Sequence, residues 1–315
     1  MKKRILALAA ALCLLCGCGA PGASSGNAAS SGSSASSGSA ASPGSAASSG
    51  SAASSGNAAS SGSGAGGTLQ VCCFSAGAAD AILLTTADSA VLIDTGESGF
   101  GKEIVQALRD RGIGSLDVLI LTHFDQDHVG GAAKVLKSVP VGRVLQSDWP
   151  RDSSEYRKYI AALADAGLEA VTVRESLTFT LSGAVYTVDP PQKTEYDRDS
   201  SNNSSLIVSV TYGEKRFLFA GDAEDARLAE FLSQGNGTYD FLKVPYHGRW
   251  LESLPAFFAS VRPAWAVITS SEEEPEDART VSALTDAGAE VFLTRQGTVL
   301  AECDGSSLTV SRASG

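Results

Sequence analysis

The last 248 residues of this 315-residue sequence, 68–315, predict an α+β domain of two packed sheets with helices on their outer faces. Three observations carry that expectation. Short β-rich apolar runs recur between Gly, Asp and Ser turns. Stretches with helical apolar spacing fall between those runs. The first 67 residues, an N-terminal apolar run followed by a Ser/Gly/Ala stretch, contribute no core.

The elements follow in chain order. Leu69 to Ser75, Ala81 to Thr86 and Ala90 to Ile93 read as a β-meander, divided by Gly, Ala-Asp and Asp-Ser. Phe100 to Arg111 places Ile104, Val105 and Leu108 on one helical face and stops at Gly112. Val118 to Leu121 is a buried strand, Ala132 to Val139 a helix opened by Gly130-Gly131, and Val141 to Leu145 a strand. Tyr156 to Ala166 is a helix closed by Gly167. Strands are expected at Ala170 to Val173, Ala184 to Val188, Leu206 to Thr211 and Phe217 to Ala220. The helix Glu224 to Leu232 precedes the strand Phe241 to Val244. The helix Leu254 to Val261 then leads to the strand Ala264 to Ile268, and the helix Ala278 to Ala287 follows. Val291 to Leu293, Thr298 to Ala301 and Leu308 to Val310 close the chain as strands.

The N-terminal region has a different character. Met1-Lys2-Lys3-Arg4 is a basic start, and Ile5 to Leu15 an apolar run too short to span a membrane as a mature helix. Leu15-Cys16-Gly17-Cys18 resembles the lipobox of bacterial lipoprotein signals. It implies a leader over 1–17, a lipid on Cys18, and an extracytoplasmic protein anchored to the cell membrane. An ordinary secretory signal cleaved nearby is the plainer alternative. Residues 18–67 are nearly all Ser, Gly and Ala without charge, which reads as a disordered tether with a reach of about 40 Å.

Three of the 24 Lys and Arg lie in the leader, so 21 face 35 Asp and Glu, a balance of −14. That argues against a broad basic face for duplex DNA, though not against a local groove or bound cations that accept phosphate. Beyond Cys18 the folded part keeps Cys72, Cys73 and Cys303, an odd number with no Cys-x-x-Cys pair. A bridge from Cys72 or Cys73 to Cys303 is one reading; buried apolar thiols are the other.

The chain has only three histidines, and all of them sit beside strand ends. His123-Phe124-Asp125-Gln126-Asp127-His128 packs two of them with two aspartates into six residues. His247 lies in Lys243-Val244-Pro245-Tyr246-His247-Gly248. Neutral imidazole and carboxylate oxygen are what a divalent cation takes from a protein. In an extended segment His123, Asp125 and Asp127 alternate onto one face while His128 diverges to a second position. One loop would thus serve two cations. Asp222, in Gly221-Asp222-Ala223, offers a further strand-end carboxylate suited to bridging them, and Asp94 ends an earlier strand in Asp94-Thr95-Gly96. Taken singly, Asp-Thr-Gly and Gly-Asp-Ala are ordinary turn chemistry.

Asp94-Thr95-Gly96, His123-x-Asp125-x-Asp127-His128, Gly221-Asp222 and His247-Gly248, in this order, resemble the metallo-β-lactamase-fold hydrolases. The text from Ser201-Asn202-Asn203-Ser204-Ser205-Leu206 through Ala220-Gly221-Asp222 to Lys243-Val244-Pro245-Tyr246-His247-Gly248 is similar to the ComEC-type competence hydrolase domain, over roughly residues 69–300. The resemblance implies a four-layer αββα sandwich with a dinuclear site at one edge. It implies His123 and Asp125 on the first metal and Asp127, His128 and His247 on the second. Asp222 would bridge, and Asp94 would orient the loop from outside.

Three departures stand out. Asp125 replaces the commoner His, no His precedes the strand Leu206 to Thr211, and Tyr246-His247-Gly248-Arg249 replaces His-His-Gly-Ser. Fewer nitrogens and more oxygens lean toward Mn or a mixed site over Zn alone, with one or two divalent ions bound.

The expected function is an extracytoplasmic metal-dependent hydrolase in which water activated by the cation attacks a phosphodiester, with DNA as the leading substrate. Asp127 is the ligand on which that chemistry would turn. Tyr246 and Lys243 are candidates to assist the leaving oxygen or bind substrate, and Arg249 and Trp250 candidates for a phosphate and a base. Two alternatives remain: hydrolysis of a cell-wall phosphodiester, a lactone or a thioester, and a non-catalytic metal-binding lipoprotein. Serine β-lactamase chemistry has no Ser-x-x-Lys in a suitable setting.

Overall fold

The computed structural model describes residues 67–313. The leader expected over 1–17, Cys18, and all but the last residue of the expected tether lie outside the described residues. The first half of the fold runs β1 (Leu69–Cys73), β2 (Ile82–Thr85), β3 (Ala90–Ile93), α1 (Gly101–Asp110), β4 (Leu116–Leu121), α2 (Gln126–Val129), α3 (Ala132–Ser138), β5 (Val141–Gln146), α4 (Ser154–Asp165) and β6 (Val171–Thr172). The second half is β7 (Leu177–Leu181), β8 (Ala184–Asp189), α5 (Ser200–Asn203), β9 (Ile207–Tyr212), β10 (Lys215–Phe219), α6 (Asp225–Ser233), β11 (Phe241–Lys243), α7 (Leu254–Val261), β12 (Trp265–Ile268), α8 (Ala278–Asp286), β13 (Glu290–Leu293), β14 (Val299–Cys303) and β15 (Leu308–Arg312).

Two mixed sheets result. One has the order β15-β14-β1-β2-β3-β4-β5-β6, the other β13-β12-β11-β10-β9-β8-β7. Each begins with antiparallel hairpins and ends in parallel strands: β3 to β6 in the first, β10 to β13 in the second. Parallel neighbours need crossovers, and those crossovers supply the helices. Strand alternation then divides the apolar residues into three layers. Ile82, Leu84, Ile93 and Ile120 meet Val208, Val210, Phe217 and Phe219 between the sheets. Leu83, Leu92 and Leu119 turn outward onto Ile104, Leu108 and Tyr159 of the first helical layer. Leu218, Leu242 and Ala266 turn outward onto Leu228, Phe257, Phe258 and Leu284 of the second. This is the four-layer αββα sandwich expected. Among the described residues no helix is long and apolar enough to cross a membrane.

The differences from expectation are local. Strand β7, Leu177–Leu181, was not foreseen: its alternate residues are half-covered at a sheet edge, and Thr178 and Thr180 thin its apolar pattern. The segment after His123 is not extended. Asp125 accepts the amides of His128 and Val129, and 126–129 turn into α2, so Asp127 and His128 leave the face that strict alternation gave them. Cys72, Cys73 and Cys303 are free, buried thiols, and burial raises all three pKa values, that of Cys72 to about 11. The disulfide option is thereby removed.

The edge holding the histidines is tied together through backbone. The Thr95 amide bonds to His128 O, Gly96 to Asp80 O, Asp80 to Asp127 O, and Gly131 to Gly96 O, at 2.7–3.2 Å. Such close approach needs glycine at 131, where a Cβ would collide with the Thr95 carbonyl oxygen. We expect Gly131→Ala to lose about 1–3 kcal/mol of stability. The check is a lowered urea midpoint at unchanged slope; an unaltered midpoint would contradict the close contact.

Candidate metal centre

Asp94, His123, Asp125, Asp127, His128, Asp222 and His247 cluster at the carboxyl ends of β3, β4, β10 and β11. Asp94, fully buried, adopts a left-handed conformation (φ 56°) just past β3. Its Oδ1 accepts the Thr122 amide at 2.8 Å. Its Oδ2 accepts the Thr122 hydroxyl at 2.6 Å and His128 Nδ1 at 2.8 Å. A carboxylate at that nitrogen requires its hydrogen, so Nε2 is the nitrogen His128 would offer a cation as a lone pair. Asp94 therefore holds the His128 ring.

His247 is set the same way. Its Nδ1 lies 3.0 Å from both the carbonyl and the hydroxyl oxygen of Thr269, which follows β12. The Thr269 hydroxyl in turn donates to Asp80 Oδ1 at 2.7 Å. The turn carrying His247 is left-handed over three residues: Tyr246 (φ 52°), His247 (φ 50°) and Gly248 (φ 72°). At Gly248 any Cβ would stand 2.8 Å from Ile268 Cγ2. Two non-glycine residues held this way cost on the order of 1–3 kcal/mol each, and such strain clusters at functional sites.

The free nitrogens converge. His128 Nε2 is 3.3 Å from His247 Nε2 and 3.3 Å from Asp222 Oδ1; His247 Nε2 is 3.2 Å from Asp222 Oδ2 and 3.2 Å from Asp127 Oδ2. His128 Nε2 lies 3.8 Å from Asp127 Oδ2, and one ligand atom from each of the four lies within 4.8 Å of all the others. Donors placed 2.0–2.2 Å from a tetrahedral ion stand about 3.3–3.6 Å apart, so the four outline one cation position. Asp222 Oδ1 is buried without a hydrogen-bond partner, an acceptor that a cation would satisfy. Asp127, His128, Asp222 and His247 thus fit a single divalent ion.

The other expected position is less complete. His123 Nε2 is buried without a partner and lies 3.8 Å from Asp125 Oδ2. Among the described residues no third metal-type ligand joins that pair. Asp125 is engaged elsewhere, its Oδ1 accepting Ser201 Oγ at 2.5 Å and Arg151 Nη1 at 3.1 Å. Where a histidine was expected, Asn202 donates to Glu224 at 2.9 Å and Ser204 to the Ser201 carbonyl at 2.6 Å. Only Ser205 turns inward, accepting the Asp222 amide at 3.1 Å and lying 3.4 Å from His123 Nδ1.

Two expectations are corrected. Lys243 does not reach substrate: its side chain is fully buried, its ammonium pairs with Asp80, and it donates to Gly221 O at 3.1 Å. Burial alone would lower its pKa, but the Asp80 and Asp222 carboxylates raise it, so it is a fixed internal cation. Trp250 is packing: its indole donates to Glu252 at 3.0 Å and carries the Arg279 guanidinium 4.8 Å from its ring centroid, while Arg249 pairs with Glu274. Tyr246 stays half-buried under Arg249, 5.3 Å from its ring.

Asp80 and Thr269 were missed in the sequence. In the sequence Asp80 reads as a turn between strands. The signal was an aspartate flanked by Ala79 and Ala81 directly before a fully apolar strand, where a solvent turn would expose an alanine pair.

Charge balance sets the protonation. Burial alone would lower the His247 pKa, but Asp222 and Asp127 lift it to about 9, and Asp222, Asp127 and Asp94 outweigh burial at His128 likewise. His123 moves the other way, lowered by burial and by His128.

A family model for the Metallo-beta-lactamase superfamily matches residues 75–267. Recombination protein 2 of Haemophilus influenzae is 29% identical over 66% of this chain and 25% of its own length. ComE operon protein 3 of Bacillus subtilis is 29% identical over 54% of this chain and 22% of its own. The chain thus spans about a quarter of the length of these curated relatives. The crystal structure of the metallo-beta-lactamase fold protein YhfI from Bacillus subtilis aligns at 14% identity and a TM-score of 0.47. That alignment covers 72% of this chain and 96% of that one.

Two outcomes test the geometry. A cation must displace the proton that His247 holds below a pH of about 9, so affinity should rise with pH up to that value and binding should release protons. Titration calorimetry in buffers of different ionisation heat measures that release; equal heats would contradict it. Asp94→Ala, which frees the His128 ring, should weaken metal binding about 10–100-fold. An unchanged affinity in a competition with a chelating dye would remove Asp94 from the centre.

Proposed function

This chain belongs to the metallo-beta-lactamase superfamily, and from that premise we propose that it is a metal-dependent phosphodiesterase acting on nucleic acid. The observation that carries the reading is the convergence of Asp127, His128, Asp222 and His247 on one cation position at the sheet edge. A bound divalent ion supplies an activated water and neutralises charge on a phosphoryl oxygen.

The chain's own residues supply the rest. Asp94, Thr269 and Asp80 fix the two imidazoles, so little reorganisation remains when substrate arrives. Lys243 cancels the charge of Asp80 and keeps the cluster from becoming too anionic for a phosphate. Arg151 reaches Asp125 from a half-exposed position at the rim, and its guanidinium is suited to bidentate contact with a phosphodiester. His123, neutral by burial, offers an unpartnered Nε2 inside the same pocket.

Competence and recombination proteins among the relatives support DNA as the substrate class. The basic start, the apolar run and Cys18 support export and lipid attachment, so the activity would lie outside the cytoplasmic membrane at the end of a tether.

Incubation of the purified protein with single- and double-stranded DNA plus manganese, magnesium or zinc tests the proposal. We expect metal-dependent cleavage, lost at least 100-fold in Asp127→Ala. Cleavage that survives in that variant, or none with any metal, would overturn it.

A further inference from the structure

Beside the metal centre lies a second pocket, of about 160 Å³, that the fold alone does not require. Trp149, Pro190 and Pro191 give it apolar walls, and Arg174 and Lys193 give it cations. Arg174 is held in place by Asp148, at 2.7 and 2.9 Å. Lys193 makes no ion pair among the described residues and lies 5.7 Å from the Tyr196 ring centroid. Ser204 also lines this pocket and accepts the Ser147 hydroxyl at 2.7 Å, while the next residue, Ser205, touches both Asp222 and His123. Pocket and metal centre therefore share a wall.

The segment Asp148-Trp149-Pro150-Arg151 serves both. Trp149 faces the pocket, and two residues later Arg151 reaches Asp125 in the centre. The opposite lip is the loop 190–199, and it is firmly anchored. Arg227, fully buried, donates to the Asp189 carbonyl and carboxylate at 2.7 Å each. Glu230 accepts the Gln192 amide at 3.0 Å and the Tyr196 hydroxyl at 2.8 Å. A loop held at both ends by buried charge keeps a preformed shape.

We propose that this pocket binds the nucleobase adjacent to the phosphodiester held at the metal centre, stacked on Trp149, with Lys193 on the neighbouring phosphate. The inference rests on the phosphodiesterase reading and names its favoured substrate form: a single strand, whose base enters without the unpairing and unstacking cost that a duplex base carries. An aromatic face with cations along one rim is how proteins take single-stranded nucleic acid without reading sequence. The −14 balance makes this local pair of cations the more specific, since nothing broad surrounds it.

The test compares a single-stranded oligonucleotide with the same strand carrying an abasic residue, using the purified protein with manganese. Trp149→Ala should raise KM for the intact strand about tenfold at unchanged kcat. Trp149→Phe should restore most of the loss, and the abasic strand should be indifferent to both changes. An equal loss on intact and abasic strands, or a loss confined to kcat, would overturn the subsite.

Fluorescence anisotropy of the same two strands with metal-free protein separates this from the nuclease reading. Trp149-dependent preference for the intact strand, without cleavage by any metal-loaded sample, would leave the subsite standing and remove the phosphodiesterase. No preference for the intact strand would remove the subsite whatever the cleavage result.

Discussion

Two imidazole Nε2 atoms held 3.3 Å apart, inside a ring of carboxylates, form the constraint on which this molecule depends. Without a cation that arrangement is held only by protons. Burying Asp80, Asp94 and Asp222 together is expensive unless each is paired or hydrogen-bonded. Lys243 offsets Asp80, the Thr122 backbone and hydroxyl with His128 offset Asp94, and Asp222 keeps one oxygen unsatisfied. The incomplete balance falls where a divalent ion fits.

The sandwich serves that constraint by its topology. Parallel strands β3 and β4 in one sheet and β10 to β12 in the other all end at one edge, so Asp94, His123 to His128, Asp222, His247 and Thr269 leave the sheets together. The backbone strain lies there too, at Asp94, Tyr246 and His247, and the packed layers on either side hold it. The edge is asymmetric. Four donors close around one position, while beside it His123 and Asp125 face Ser201 and Arg151. An oxygen-poor, nitrogen-rich second position would have needed a histidine where Asn202 and Asn203 instead brace Glu224 and the Arg227 amide.

Much of this was legible in the sequence, for physical reasons. Histidines are few, and each lies beside an apolar strand, so metal chemistry and strand-end placement could be read together. The layers were legible because short apolar strand runs alternate along the chain with stretches of helical spacing, which must cover the sheets. Other features depend on contacts that no local pattern encodes. Asp80 looks like a turn residue until β1 and β2 bring it against Lys243 and Thr269. Lys243 looks like a substrate-facing cation until β11 is seen to be buried on both faces. The helical turn at 126–129 defeats an alternation argument because Asp125 O caps it, a choice made by tertiary contacts to Thr95 and Asp80.

The most direct test is to locate the ion. Crystals of the protein grown with manganese, measured for anomalous scattering, should show one strong peak about 2.0–2.2 Å from Asp127 Oδ2, His128 Nε2, an Asp222 carboxylate oxygen and His247 Nε2. A peak held by His123 and Asp125 without His247, or no peak among these residues at saturating manganese, would contradict the centre described above.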